Sequence, residues 1–248
     1  MDILLSHGYF LEDDIKEQEI MKPYPPLGIL YISSWLKLHK IDCQIFDTTF
    51  SSKTAFKDFL VLNKPAIVAF YVNLMTKLNI LEIIQFIKSE PTLVNTKIIL
   101  GGPEVTHSKE RFLKYGADFI VIGEGEETVL ELVRTIHHKT IDFESLSVVS
   151  GISFLDKNNG IYSTQEREKL KDLDQLPIPD REAIDVAAWI RFIREMKIPK
   201  IFSNISDARL PGKSHYKTAG TSNKLSRQRN KLLKEEKSIF YLVYLILN

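Results

Sequence analysis

Three short stretches combine glycine, proline and carboxylate residues at spacings that suit ligand binding: Tyr24-Pro25-Pro26-Leu27-Gly28, Gly101-Gly102-Pro103-Glu104 and Gly123-Glu124-Gly125-Glu126. Glycine lets a bulky ligand lie against bare backbone, and a few polar groups beside it fix the ligand's rim. Each stretch follows, or leads away from, a run that reads as a parallel strand. The three therefore gather along one edge of a sheet, where open α/β sheets bind ligands.

The elements that position these loops follow from the apolar pattern. Ile3-Leu4-Leu5, Cys43-Gln44-Ile45-Phe46-Asp47, Ala66 to Phe70, Lys97-Ile98-Ile99-Leu100 and Phe119-Ile120-Val121-Ile122 read as strands. The near-continuous apolar runs among them are those of parallel strands covered on both faces. Helical spacing follows each: Leu27, Leu30, Tyr31, Ser34, Trp35 and Leu38; Thr49 to Leu62; Ile80, Ile83, Ile84 and Ile87; a short helix from Lys109 to Tyr115; and Val129 to Ile136. Pro25 and Pro26 suit a helix entry, and Asn73 or Thr76 a helix cap. Strand and helix alternate five times, which predicts an α/β, flavodoxin-like (Rossmann-type) doubly wound sheet of five parallel strands in the order 2-1-3-4-5. Beyond His138 the rhythm changes. Gly151 to Leu155 and Gly160 to Ser163, joined by Asp156-Lys157-Asn158-Asn159, predict a small β-hairpin extension. Leu173 to Arg181, with Pro177 and Pro179, reads as an extended linker.

The expected organisation is thus a ligand-binding domain over residues 1–140, a hairpin and linker over 141–185, the start of a following domain over 186–202 and an unpatterned tail over 203–248. That tail carries nine Lys/Arg against three Asp/Glu, which leaves 24 against 29, a balance of −5, for the first 202 residues. A mildly acidic body gives no electrostatic footprint for nucleic acid. The closing apolar run from Ile239 to Leu247 is nine residues long, too short for a bilayer-spanning helix of about 20 residues. With no basic, apolar leader at Met1-Asp2-Ile3, a cytoplasmic protein without membrane attachment is expected. Cys43 is the single cysteine, which leaves neither a disulfide framework nor a thiolate cluster site.

Taken in order, Tyr24-Pro25-Pro26-Leu27-Gly28-Ile29-Leu30-Tyr31, Gly101-Gly102-Pro103-Glu104, Asp118 to Glu126, and Leu176-Pro177-Ile178-Pro179-Asp180-Arg181 resemble the N-terminal B12-binding region of the cobalamin-dependent radical S-adenosylmethionine enzymes, a family of methylases and cyclases. The resemblance covers roughly residues 1–185. It implies a corrinoid lying across the carboxyl edge, held by Tyr24 to Gly28, by Tyr71, Asn73 and Thr76, by Gly101 to Glu104 and by Gly123 to Glu126. It also implies a cobalt without a histidine ligand. Other corrinoid proteins use an Asp-x-His-x-x-Gly loop after strand one; here His7 precedes Gly8, but Leu5 stands where the aspartate would be.

The chain departs from that family where the chemistry would begin. The family's Cys-x-x-x-Cys-x-x-Cys motif holds an iron–sulfur cluster that cleaves S-adenosylmethionine, and no cysteine follows Cys43. No catalytic residue and no metal ligand is therefore assigned, and the chain is expected to be inactive alone. The expected partner besides the corrinoid is a separate radical S-adenosylmethionine polypeptide. The tail after Ile201 reads as a truncated or frameshifted product, and the competing reading is a non-catalytic interaction module whose ligand site has decayed. Gly123-x-Gly125 lacks the third glycine of a dinucleotide loop and follows the last strand rather than the first. Glu124, Glu126 and Glu127 are explained by the positive end of a helix as readily as by a metal.

Overall fold

The computed structural model describes residues 1–13, 25–138 and 141–195. Its first compact unit runs from Met1 to Ile184. Strands β1 (Ile3–Ser6), β2 (Cys43–Ile45), β3 (Ile67–Tyr71), β4 (Lys97–Gly101) and β5 (Phe119–Val121) lie parallel in the order β2-β1-β3-β4-β5. The sequence predicts this sheet and its order. The register aligns Leu5 with Ile45 and Ala69, Tyr71 with Gly101, and Leu100 with Ile120.

The hairpin is a continuation of the sheet. β6 (Ile152–Leu155) pairs antiparallel with β5, and β7 (Ile161–Ser163) with β6, so seven strands are joined. Its turn is closed by Asp156, whose carboxylate accepts from the N–H groups of Asn158 and Gly160.

Side chains alternate across the sheet with the strand period of two. Ile3, Leu5, Ile67, Ala69 and Ile99 face one core with α1 (Leu27–Leu38) and α5 (Glu126–His138). Leu4, Val68, Phe70, Ile98 and Leu100 face the other with α2 (Lys53–Asn63), α3 (Lys77–Ser89) and α4 (Pro103–Lys114).

Helix starts follow local chemistry. Ser52 caps α2 by accepting from the Ala55 N–H at 3.1 Å. α4 begins at Pro103, six residues earlier than the helical spacing indicates, because Gly102 turns the chain at φ +113° and proline suits the first helical position. The helix is broken at Ser108, which is why only its later part shows a pattern. In α1 the buried positions are Ile29, Leu30, Ser33, Trp35 and Leu36, while Leu38 is exposed. This helix is apolar on most sides, so spacing alone does not select the inward face.

A short helix that the apolar pattern does not show, α6 (Phe143–Ser147), is set by a capping box between Asp142 and Ser145. The segment expected to be an extended linker from Leu173 to Arg181 begins with a 3-10 turn, Leu173–Gln175, and runs into another, Arg181–Ala183; between them it is extended but docked, with Leu176 against the α1/α5 core and Pro179 buried. In the second unit, α7 (Val186–Glu195) is a single helix. The polar tail, the apolar C-terminal run and Tyr24 lie outside the described residues.

Candidate functional site

Because β1 and β3–β5 run parallel, their carboxyl ends and the amino ends of α1, α3, α4 and α5 share one edge. The glycines there divide into two kinds. A Cβ built on Gly102 would lie 2.5 Å from the Val72 carbonyl oxygen, so this glycine serves the close packing of the β3 and β4 loops. A Cβ on Gly125 would meet the Ile32 Cδ1 at 2.9 Å, and one on Gly101 makes only ordinary contact with Val121 at 3.8 Å. Gly28 and Gly123 differ: among the described residues, a Cβ on either has nothing within 4 Å. Gly123 also holds φ +81°, a backbone region that side chains disfavour. Bare backbone therefore faces open space at the amino end of α1 and in the loop before α5.

The polar residues of the β3–α3 turn are partly committed to the turn itself. Asn73 accepts through Oδ1 from the N–H groups of Met75 and Thr76, both at 3.0 Å. Thr76 is buried, and its Oγ1 accepts from the Asn73 N–H at 3.1 Å. The Thr76 hydroxyl thus shapes the loop, whereas the Asn73 side-chain NH₂ makes no bond in it. Leu74 and Leu78 stand beside it 73% and 74% exposed, an apolar rim on the same edge. Tyr71 ends β3, half-buried, in line with Gly101. Glu104 accepts from Lys77 Nζ, which ties the start of α4 to that of α3. At the entry to α1, Pro25 and Pro26 precede Leu27, whose N–H bonds to the Pro25 carbonyl at 2.8 Å.

At the end of β5, Glu124 accepts from the Leu170 N–H at 2.8 Å, and Glu127 pairs with Arg167. Glu126 is half-buried at the first position of α5. Burial, reinforced by the neighbouring charges of Glu124 and Glu127, pushes its carboxyl above the ordinary range.

His7, at the end of β1, is buried and has a carboxylate partner that its own strand does not supply. Its Nε2 lies 2.9 Å from Asp47 Oδ1, and its Nδ1 accepts from the Tyr9 N–H at 3.3 Å. That pattern assigns the proton to Nε2 and leaves neither nitrogen free. Burial pushes the Asp47 carboxyl up, but the hydrogen bonds from His7 and Thr49 outweigh it and hold it at about 2. The pair was hidden in the sequence because its members are 40 residues apart. The usable signal is positional: in a 2-1-3 strand order, an aspartate just past β2 lies beside a histidine just past β1. Cys43 is buried against Ser33, and burial pushes its thiol up to about 12, so it is inert.

A groove of about 550 Å³ runs along α1 and α5, lined by Trp35, His39, Leu130 and Arg134 among others. None of the three glycine stretches lines it. Trp35 is part of the core, as its place on α1 predicts.

Residues 19–133 match the model of the B12 binding domain family. The B12-binding match takes in all four loops and ends inside α5, before β6 and β7. Its fold is the flavodoxin-like sheet described above. No curated protein matches the chain. Among solved structures, the cobalamin-dependent S-adenosylmethionine radical enzyme OxsB with aqua-cobalamin bound superposes with a TM-score of 0.60 at 20% identity, over 72% of this chain and 24% of that one. The same enzyme with aqua-cobalamin and S-adenosylmethionine gives 0.60 at 21% identity, and its apo form 0.58 at 21%, over the same shares. The present chain thus spans about a quarter of the length of these structures. At such identity the likeness is one of fold. Among the described residues, no helix is long and apolar enough to cross a membrane.

Proposed function

We propose that the carboxyl edge of this sheet holds a corrinoid, as the cofactor-binding part of a radical S-adenosylmethionine methylase or cyclase. The observation that carries this reading is the pair of open glycines, Gly28 and Gly123, which present bare backbone at two points of one edge. A corrinoid is a broad, largely apolar disc fringed by amides, so it fits flat backbone, an apolar rim and a few hydrogen-bonding groups. Pro25, Pro26, Leu27 and Gly28 would lie against it from α1. Tyr71 and the free NH₂ of Asn73 would meet it from β3, with Thr76 holding that turn in shape. Gly101, Gly102, Pro103 and Glu104 bring the β4 loop close, and Gly123, Glu124, Gly125 and Glu126 close the far side. Glu126 adds a half-buried carboxyl to that side. Tyr24 belongs to the same proposed set by sequence.

When bound, a corrinoid supplies cobalt as a carrier of methyl groups. His7 has both nitrogens engaged, which supports a cobalt without a histidine ligand. With Cys43 alone and buried, the cluster that cleaves S-adenosylmethionine would come from another polypeptide or from sequence beyond these 248 residues. The exposed Leu74 and Leu78 favour a second reading, a non-catalytic interaction module, in which that rim docks a protein and no corrinoid binds.

Substitution at Gly28 separates the two. A Cβ there has nothing within 4 Å among the described residues, so Gly28→Phe is expected to leave the fold intact and to lower hydroxocobalamin affinity at least about tenfold by occupying the ligand's place. Equal hydroxocobalamin binding by wild type and Gly28→Phe would remove the corrinoid from this edge.

A further inference from the structure

The motif Leu176-Pro177-Ile178-Pro179-Asp180 is absorbed neither by the B12-binding match, which ends at residue 133, nor by a role as a mere linker. Its contacts converge on α1. Asp180 donates its N–H to the Leu30 carbonyl at 3.1 Å. Its Oδ2 accepts from the Ser33 hydroxyl at 2.5 Å and pairs with Lys37 Nζ at 2.6 Å. Ser33 is fully buried, and a buried hydroxyl without an acceptor is costly, so the carboxylate answers a requirement of the helix. Pro179 is buried and Leu176 packs into the α1/α5 core.

Ten residues earlier in the same segment, the contacts converge on α5. Arg167 Nε donates to Thr128 Oγ1 at 2.8 Å, and its guanidinium bonds Glu127 and Glu131. The Leu170 N–H donates to Glu124 in the glycine loop itself. One segment thus contacts both helices that border the open glycines: α1 from the Leu30 carbonyl in its first turn along to Ser33 and Lys37, and α5 at Glu127, Thr128 and Glu131.

We infer that residues 164–184 are a clasp that sets the spacing of the α1 and α5 amino ends, with Asp180 and Arg167 as positioning residues for the cofactor edge. The clasp rests on the corrinoid reading for its purpose, but its mechanical part stands on contacts within this chain. A disc held between Gly28 and Gly123 needs those two backbones at a fixed separation. The two helices pack in one core, and Ile32 of α1 reaches the Gly125 loop; the segment adds polar ties from outside that core. Arg167 and Asp180 are 13 positions apart in sequence, and each closes on a different helix through charged, hydrogen-bonded contacts.

The test uses the full chain with hydroxocobalamin as the probe, in wild type, Arg167→Met, Arg167→Lys and Asp180→Asn. Amide hydrogen exchange is followed over residues 27–33 and 123–128, with β3 as the internal reference. The clasp predicts faster exchange in both windows and not in β3 for Arg167→Met and Asp180→Asn. It also predicts about tenfold weaker hydroxocobalamin binding, with Arg167→Lys intermediate in both. Unchanged exchange in the two windows, or a uniform rise that includes β3, would overturn the clasp. If wild type binds no hydroxocobalamin the corrinoid reading fails, while the exchange pattern still decides whether the clasp exists. Should Arg167→Met not fold, Asp180→Asn, which keeps an acceptor for Ser33, carries the test.

Discussion

At the scale of single residues, His7–Asp47 gives the plainest energetic expectation. His7 and Thr49 hold the Asp47 carboxyl at about 2, below the usual carboxylate range, so its stabilisation is full above pH 4 and is lost as the pH falls toward 2. The shift corresponds to about 2 kcal/mol. Asp47→Asn should lower neutral-pH stability by that order and flatten the acid limb of a urea-melt series between pH 4 and pH 2. An unchanged acid limb would mean that the pair holds no charge of consequence. Gly102 offers a second expectation. Gly102→Ala puts a Cβ 2.5 Å from the Val72 carbonyl at a backbone φ of +113°, a strain of order 1–3 kcal/mol that should appear as a lower Tm. Gly28→Ala should leave the Tm unchanged or raise it. The sequence marks both glycines alike, since residue type does not say whether the neighbour is protein or open space. Only the pairing of distant loops separates them, and the same holds for His7, whose partner sits on another strand.

At the scale of elements, the parallel strands were legible because burial on both faces leaves long apolar runs, and the α/β alternation then fixes their order. What stayed hidden depends on contacts distant in sequence or on short polar devices. α6 rests on the Asp142–Ser145 capping box, the early start of α4 on a glycine–proline turn, and the joining of β6 to β5 on a pairing that hairpin signals do not specify. Caps are the accessible test of such devices. Ser52→Ala removes the acceptor for the Ala55 N–H and should cost about 1 kcal/mol, read as a lower urea midpoint with an unchanged m-value.

At the scale of the whole molecule, the described residues up to Ile184 form a sheet with two covered faces and one edge at which, among those residues, a Cβ on Gly28 or Gly123 has nothing within 4 Å. The B12 binding domain match spans the loops of that edge and the fold is shared with OxsB, while the two open glycines carry the proposal that the edge holds the ligand. The candidate residues fall as stretches in order along the chain, and the fold brings those among the described residues to one edge. Their division of labour was not legible in the sequence: Thr76 and Gly102 build the loops, Glu124 grips the segment after β7, and Gly28 and Gly123 remain open. The most direct measurement is to pass the full chain, equilibrated with hydroxocobalamin, through gel filtration and record the visible spectrum of the protein peak. The corrinoid reading predicts a corrinoid band co-eluting near one equivalent per chain and lost in Gly28→Phe. A folded, monodisperse peak with no visible band would contradict it and leave the interaction-module reading in its place.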